Sequence, residues 1–343
     1  MKKTISLLLA LAMVFTLAAC GKPAAPSETN APAAAGTPEA SEPAEAKDTK
    51  KIGVFYYNST NTAAYPIMEG MIDVIQEHGD EYIYVSADDA NDNEQIQQCM
   101  DELIARDDID GIVFSNINDT LLTDSLKTAK EKGIAVASMD ILFNDNEDDP
   151  LLVSQTLDDN YKGGYDCAKA ILEELGGEAN IIILGFRGNN ACRDRSAGYE
   201  DAIKEYPNAK ILYELDITTV DDISNATEDL LTKYPECNAI FGIADSVAVA
   251  GLAACKAQGR DDILICTQDG GSDVQTYIAN GDIFCAACQP LYEMGRNTVD
   301  SLYKYWAGEE QEYYYNYDIP IITKENVQAT IDQFAGFTYE WLK

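Results

Sequence analysis

Two doubly wound α/β lobes, each built on a parallel sheet, are predicted by three features of this 343-residue sequence. Short apolar runs such as "IGVFYY", "GIVFS" and "ANIIILGF" alternate with stretches of helical spacing, the pattern of strands covered on both faces. That alternation runs once through the first half of the body and again through the second, which gives two successive α/β sets. The roughly 290 residues after a polar N-terminal region are also long for a single core.

The N-terminus is read apart from the fold. Lys2 and Lys3 form a short positive head, and residues 5–19 are almost all apolar, too short for a comfortable membrane span. Leu17-Ala18-Ala19-Cys20 resembles the lipobox of bacterial lipoproteins. The resemblance implies that 1–19 is a signal peptide, that Cys20 is diacylated on sulfur, and that it becomes the first mature residue. Two or more acyl chains hold a protein on a membrane where one does so only reversibly. Residues 21–50 are Ala, Pro, Glu, Ser, Thr and Lys with no aromatic residue, a composition that cannot repay chain entropy. With Cys20 they read as a disordered tether.

The body begins with the strand "KKIGVFYY". A helix "PIMEGMIDVIQEHG" follows, punctuated by Pro66 and Gly79. Next come "YIYVSA", a helix from about Asn93 to Arg106, "DGIVFSN", a helix near 120–132, "GIAVASMD" and "LLVSQT". The second set has helices at 161–175, 195–205, 222–234 and 246–258. These separate "ANIIILGF", "AKILYEL", "NAIFGIAD" and "DILICTQD". Asn93, Thr123 and Ser224 read as helix N-caps.

Composition excludes whole classes. The net charge of −35 repels nucleic-acid phosphates and anionic lipid heads, so no nucleic-acid partner is expected. Besides Cys20 there are eight cysteines, most inside apolar runs where a thiol behaves as a small hydrophobe. Cys285-Ala-Ala-Cys288 has metal or redox spacing, but no second such pair exists, and the only histidine, His78, is far away in sequence. In a strand, positions three apart face opposite ways, so no metal and no cofactor is expected. There is no paired-histidine metal motif, no nucleophile elbow and no Gly-rich phosphate loop, and an enzyme is not expected.

In doubly wound sheets ligands bind at the carboxyl ends of the strands. The residues there are Asn58, Ser59, Thr60 and Asn61; Asn116 and Asn118; Asp140; Arg187, Asn189, Asn190 and then Arg195; Asp245; Asp269; and Gln289. Any one of them is explained as a cap or turn residue. Their recurrence at nearly every strand end points to a polar ligand.

The chain resembles the sugar-type periplasmic binding proteins of the type I fold, the ribose- and galactose-binding group of transporter substrate-binding lipoproteins. The motifs are "LDDNYKGGYDCAKAIL" (157–172), "RDRSAGYEDAI" (193–203), "PECNAIFGIADSVAVAGLAACKAQG" (235–259), "QDGG" (268–271) and "CQPLYEMGRNTVDSL" (288–302). The resemblance implies two lobes joined by a three-strand hinge, the first from 51–158 plus 290–318 and the second from 159–289 plus 319–343. It implies ligand contacts from Asn61, Asn116 and Asp140 in the first lobe, Arg195 and Asp269 in the second, and Gln289 at a crossing. At Asn116 the register is open by one and Ser115 competes. Bidentate Asp, Asn, Gln and Arg groups suit the paired hydroxyls of a carbohydrate.

The departures from the pattern concern the ligand. Ala63 and Ala64 stand where ribose-binding relatives have phenylalanines, Ile141 where an arginine follows the aspartate, Ala244 where an asparagine is expected, and Val220 near a stacking tryptophan. Tyr57 and Tyr65 are the aromatic candidates to replace the missing plates, with Tyr56 and Phe143 as further choices; ordinary packing is the alternative for each. The tyrosines of "EYYYNYD" (312–318) read as a packed strand entry near the hinge. The expected protein is a monomeric, lipid-anchored, extracytoplasmic solute-binding protein that hands a sugar-like molecule to an ABC permease. The alternative is a binding protein that presents its ligand to a membrane receptor kinase. A transcription regulator of the same fold is set aside because the lipobox, and not a helix-turn-helix, precedes the body.

Overall fold

The computed structural model describes residues 49–59, 61, 65–216 and 223–342. The signal segment and Cys20 lie outside the described residues, as do Ala63, Ala64 and Val220.

The first α/β set runs β1 (Lys51–Tyr56), α1 (Tyr65–Glu77), β2 (Glu81–Ser86), α2 (Asn93–Ala105), β3 (Gly111–Asn116), α3 (Thr123–Glu131), β4 (Ala135–Asp140) and β5 (Ser154–Asp158). The second runs α4 (Asn160–Glu174), β6 (Asn180–Gly185), α5 (Asn190–Lys204), β7 (Lys210–Asp216), α6 (Ile223–Lys233), β8 (Ala239–Gly242), α7 (Asp245–Ala257), β9 (Leu264–Asp269), α8 (Ser272–Asn280) and β10 (Cys285–Cys288). The chain closes with α9 (Leu291–Ala307), β11 (Tyr314–Tyr317), β12 (Ile321–Thr323), α10 (Val327–Phe334) and a 3-10 turn at Glu340–Leu342.

Two six-stranded sheets result, ordered β11-β5-β4-β3-β1-β2 and β12-β10-β9-β8-β6-β7. Every pairing is parallel except β10 with β12. The central strands are apolar on both faces because helices cover both, as a parallel sheet requires. One face of the first sheet packs Val54, Met68, Met71 and Met294; the other packs Phe55, Phe114, Leu103 and Leu126. The second sheet carries its own core, including Ile182, Phe241, Ile265 and Tyr199.

The chain passes between the lobes at Asp158–Asn160, at Gln289–Pro290 and after Tyr317, where Asp159 N donates to Tyr317 O (3.0 Å) and Cys288 N to Pro320 O (2.9 Å). It also passes a fourth time. Residues 319–343 were expected to stay with the second lobe, and α10 does pack there through Ile331. Phe337, Tyr339 and Trp341 instead stack on Tyr292, Tyr65 and Tyr84 of the first lobe, where Glu69 takes up their backbone and indole N–H groups.

Within each lobe a helix pair meets through glycine. A Cβ on Gly198 of α5 would lie 2.2 Å from Tyr161 O of α4, and one on Gly164 2.3 Å from Arg195 O. The same device joins α1 to α9 through Gly70 and Gly295. All three sequence-based caps move: Asp92, not Asn93, caps α2 by accepting from Gln95 N, and Thr123 is the first residue of α3 rather than its cap. Ser224 lies one residue inside α6. His78 stacks on Tyr303 with centroids 3.6 Å apart. The eight body cysteines are buried free thiols. Cys285 Sγ points toward Cys167 and Cys288 Sγ toward Gly270, the opposed facing that strand geometry dictates. No helix among the described residues is long and apolar enough to cross a membrane.

Candidate functional site

A cavity of about 590 Å³ lies between the carboxyl ends of the two sheets, within the range of small-molecule sites. Both lobes line it. Tyr57, Asn58, Asn61 and Asp140 come from the first; Asn189, Cys192, Arg195, Asp245 and Asp269 come from the second; Gln289 comes from a crossing.

Arg195 is the centre of the polar network. The glycine crossing of α4 and α5 sets it beside Asn160, and its Nε donates to Asn160 Oδ1 at 2.7 Å. Its Nη1 donates to Asp269 Oδ1 (2.7 Å) and to Ile243 O (3.1 Å). Only 4% of the residue is exposed. Burial works to lower its pKa, but the charges of Asp269, Asp158 and Asp140 hold the guanidinium firmly protonated.

Asp140 and Asp269 each end the fourth strand of their lobe, and each has a left-handed backbone, with φ of 78° and 103°. Such a conformation is costly for a residue with a side chain, and at both aspartates the residue lines the cavity. Asp269 Oδ2 accepts from Asp245 N (3.2 Å). Asp245 in turn accepts from Gly271 N (2.7 Å) and Gly270 N (3.3 Å), which fixes the turn after β9. Burial, with the charge of Asp269 added, pushes Asp245 well above the usual carboxylate range.

At the hinge Gln289 Nε2 and Asn160 Nδ2 both donate to the Asp158 carboxylate. Burial raises Asp158 to about 6 against the pull of Arg195 and Gln289. Burial and the charge of Asp158 raise Asp140 to about 7. Burial likewise raises the Tyr57 hydroxyl, so it is a neutral donor at the cavity wall. The site is therefore a ring of carboxylates around one guanidinium, rich in acceptors, with a proton available near neutral pH. Across the mouth of the cleft Asn190 Nδ2 donates to Leu142 O (2.8 Å) and Arg193 faces Asp119 at 3.6 Å, so the lobes touch there.

Asn61, Asp140, Arg195, Asp269, Gln289 and Tyr57 are brought together as the sequence predicts. Asn116 and Tyr65 are not. Asn116 is 1% exposed and spends its amide on Ile141 O (2.9 Å), holding the turn after β4; it is Ser115 that donates to Asp140 Oδ2 (3.5 Å). Tyr65 turns away to stack on Tyr339 and Trp341. Sequence reasoning missed Asp158 and Asn160, although both lie in the quoted "LDDN", Asp158 at the end of β5 and Asn160 at the start of α4. Arg187 pairs with Glu200 and Glu214, and Asn189 caps α5 by accepting from Cys192 N (2.9 Å).

Comparisons with known proteins identify the family and the fold. A family model described as a periplasmic binding protein domain matches residues 52–310. A D-apiose import binding protein of Paraburkholderia graminis is 27% identical over 262 residues, covering 75% of this chain and 81% of the relative. The ribose import binding protein RbsB of Escherichia coli is 26% identical over 204 residues, covering 59% and 67%. Among solved structures, an ABC transporter periplasmic solute-binding protein from Actinobacillus succinogenes with bound D-allose superimposes with a TM-score of 0.75. That match covers 82% of this chain and 100% of the other at 22% identity, and the two share the fold.

Proposed function

The chain belongs to the periplasmic binding protein domain family, and from that premise we propose that it captures a sugar-like small molecule between its lobes, outside the cytoplasm, and delivers it to an ABC importer. The observation that carries the reading is the cleft. Asp140, Arg195 and Asp269 approach one cavity from two lobes, with Gln289 at the crossing between them. The relatives are named for apiose and ribose import, which supports a carbohydrate.

In this reading Asp140 and Asp269 each accept from hydroxyls of the ligand, and Arg195, already fixed by Asn160 and Asp269, donates to its oxygens. Gln289 and Asn61 supply amide donors and acceptors. Tyr57 offers a ring face and a neutral hydroxyl in place of the aromatic plates that Ala63 and Ala64 do not supply. A ligand that bridges the lobes favours their closed arrangement by its contacts to both, and the permease reads that arrangement. The lobes are 51–158 with 290–318, and 159–289 with the chain from 319 to α10. Cys20 carries the lipid anchor and residues 21–50 the tether, and the protein acts as a monomer.

A thermal scan of the protein against sugars, polyols, nucleosides and amino acids tests the ligand class. A sugar or polyol at a hundredfold over its Kd is expected to add about 2.7 kcal/mol to stability. A panel in which only amino acids or nucleosides raise the melting point overturns the reading. For the anchor, mass spectrometry is expected to find a diacylglyceryl group on Cys20 and none in Cys20→Ala.

A further inference from the structure

The fourth passage of the chain ends beside the ligand cleft. After α10 on the second lobe, residues 335–337 lead onto the first lobe. There Glu69 of α1, only 8% exposed, accepts from Thr338 N (3.2 Å), Tyr339 N (3.3 Å) and Trp341 Nε1 (2.9 Å). Three N–H donors on one buried carboxylate make a specific seat, because each would cost free energy if left unmatched. Tyr339 takes a left-handed backbone (φ 47°) to fit it.

The seat holds a ring cluster. Trp341 lies edge-on to Tyr65 with centroids 5.2 Å apart and against Tyr84 at 5.0 Å, and Tyr339 meets Tyr65 edge-on at 5.6 Å. Tyr65 then reaches the backbone beside the cleft. Its hydroxyl donates to Ser59 O (3.0 Å), and Ser59 sits between Asn58 and Asn61, both of which line the cavity. Ser59 N donates to Ala87 O (2.8 Å) and Asn61 N to Asn58 O (3.1 Å), which ties these two residues to the end of β2 and to Asn58.

We propose that residues 335–342 form a strap that positions the cleft-edge residues Ser59 and Asn61 by fixing Tyr65, with Glu69 as its anchor and Trp341 as its buttress. The consequence for binding rests on the reading of the cleft as the ligand site; the positioning itself does not. Tyr65 is thus a positioning residue and not a ligand contact. Because the strap starts from the second lobe, lobe movement and loop position are tied through it.

Amide hydrogen exchange on the protein without ligand tests this directly, which separates its failure from failure of the ligand reading. Three variants are compared with wild type: a chain ended after Ala335, Trp341→Ala and Trp341→Phe. Exchange at Ser59 and Asn61 is expected to be about tenfold faster in the first two, since the ring contacts that hold Tyr65 are gone. Amides of β6 are expected to keep wild-type exchange. Trp341→Phe, which keeps a ring and loses the indole N–H, is expected to restore most of the protection. Unchanged exchange at Ser59 and Asn61 in the shortened chain, or in Trp341→Ala if the shortened chain does not fold, overturns the proposal. Acceleration that extends equally to β6 also overturns it, because the tail is then a general stabiliser.

Discussion

Lowering the pH from 8 to 5 is expected to stabilise this protein, and Asp140 is one of three aspartates, with Asp158 and Asp245, whose raised pKa values carry the gain. The folded chain raises Asp140 to about 7 and Asp158 to about 6, against about 3.9 for an unfolded aspartate. A carboxyl whose folded pKa lies above its unfolded value binds its proton more tightly when folded. Its contribution therefore grows as pH falls through the folded value and levels off below the unfolded one, a window from about 7 down to about 4. At about 1.4 kcal/mol per pH unit, Asp140 gives about 3 kcal/mol between pH 8 and 5 and Asp158 about 1. Part of each shift is their mutual repulsion, so the joint gain is about 3 kcal/mol. Asp108, which Arg106 and Lys51 hold at about 2, works with the opposite sign and only below about pH 4. Protonation also relieves the self-repulsion of a chain with a net charge of −35, so the slope of wild type alone decides nothing. The comparison with Asp140→Asn does, because asparagine tolerates the left-handed backbone at this position and carries no charge. Guanidinium unfolding followed by circular dichroism at several pH values is the assay. Asp140→Asn is expected to be more stable than wild type by about 4 kcal/mol at pH 8 and to lose that advantage by about pH 4. A difference that does not change with pH, or a wild type that is the more stable at pH 8, refutes the electrostatic account of the cleft.

Gly198→Ala drives a Cβ to 2.2 Å from Tyr161 O, so urea unfolding is expected to show a loss of about 3 kcal/mol or more, with ligand affinity falling as Arg195 shifts from Asn160. The thiols of Cys192, Cys237, Cys255 and Cys288 are raised by burial to about 11–12, so these four cysteines are expected to resist a thiol reagent at pH 8 and to react once unfolded. Rapid labelling of these four in the native protein contradicts that burial. Asn190→Ala combined with Arg193→Ala removes two contacts across the cleft mouth. Solution scattering is expected to show a larger radius of gyration without ligand and the wild-type value at saturation; equal curves throughout contradict a role for these contacts in closure.

The strands and the cleft were legible in the sequence for one physical reason. Parallel strands buried on both faces leave continuous apolar runs, and the residues that end such runs must be polar or turn-forming, so "FSN", "SMD" and "TQD" mark the sheet ends. What that rule does not give is direction. Side chains alternate along a strand, so Ser115 and Asn116 face opposite ways, and only packing decided that Ser115 meets Asp140 while Asn116 braces the turn. Tyr65 follows a loop in which residues 62–64 are not described, and its partner Trp341 is 276 residues away, a contact that no local pattern encodes. Helices α8 and α10 escaped for another reason: at nine and eight residues each spans little more than two turns, too short a stretch for the helical period to show. Asp158 was missed although the strand-end rule reaches it, because "LLVSQT" was ended two residues early.

The most direct test of the account is a calorimetric titration of the sugar that gives the largest thermal shift, into wild type, Arg195→Met and Asp269→Asn. Both side chains face the cavity and bond to each other, so each substitution leaves a polar partner unmatched against the ligand. Affinity is expected to fall roughly a hundredfold or more in each variant while circular dichroism stays that of wild type. Affinity within threefold of wild type in both folded variants contradicts a sugar held between the lobes by Arg195 and Asp269.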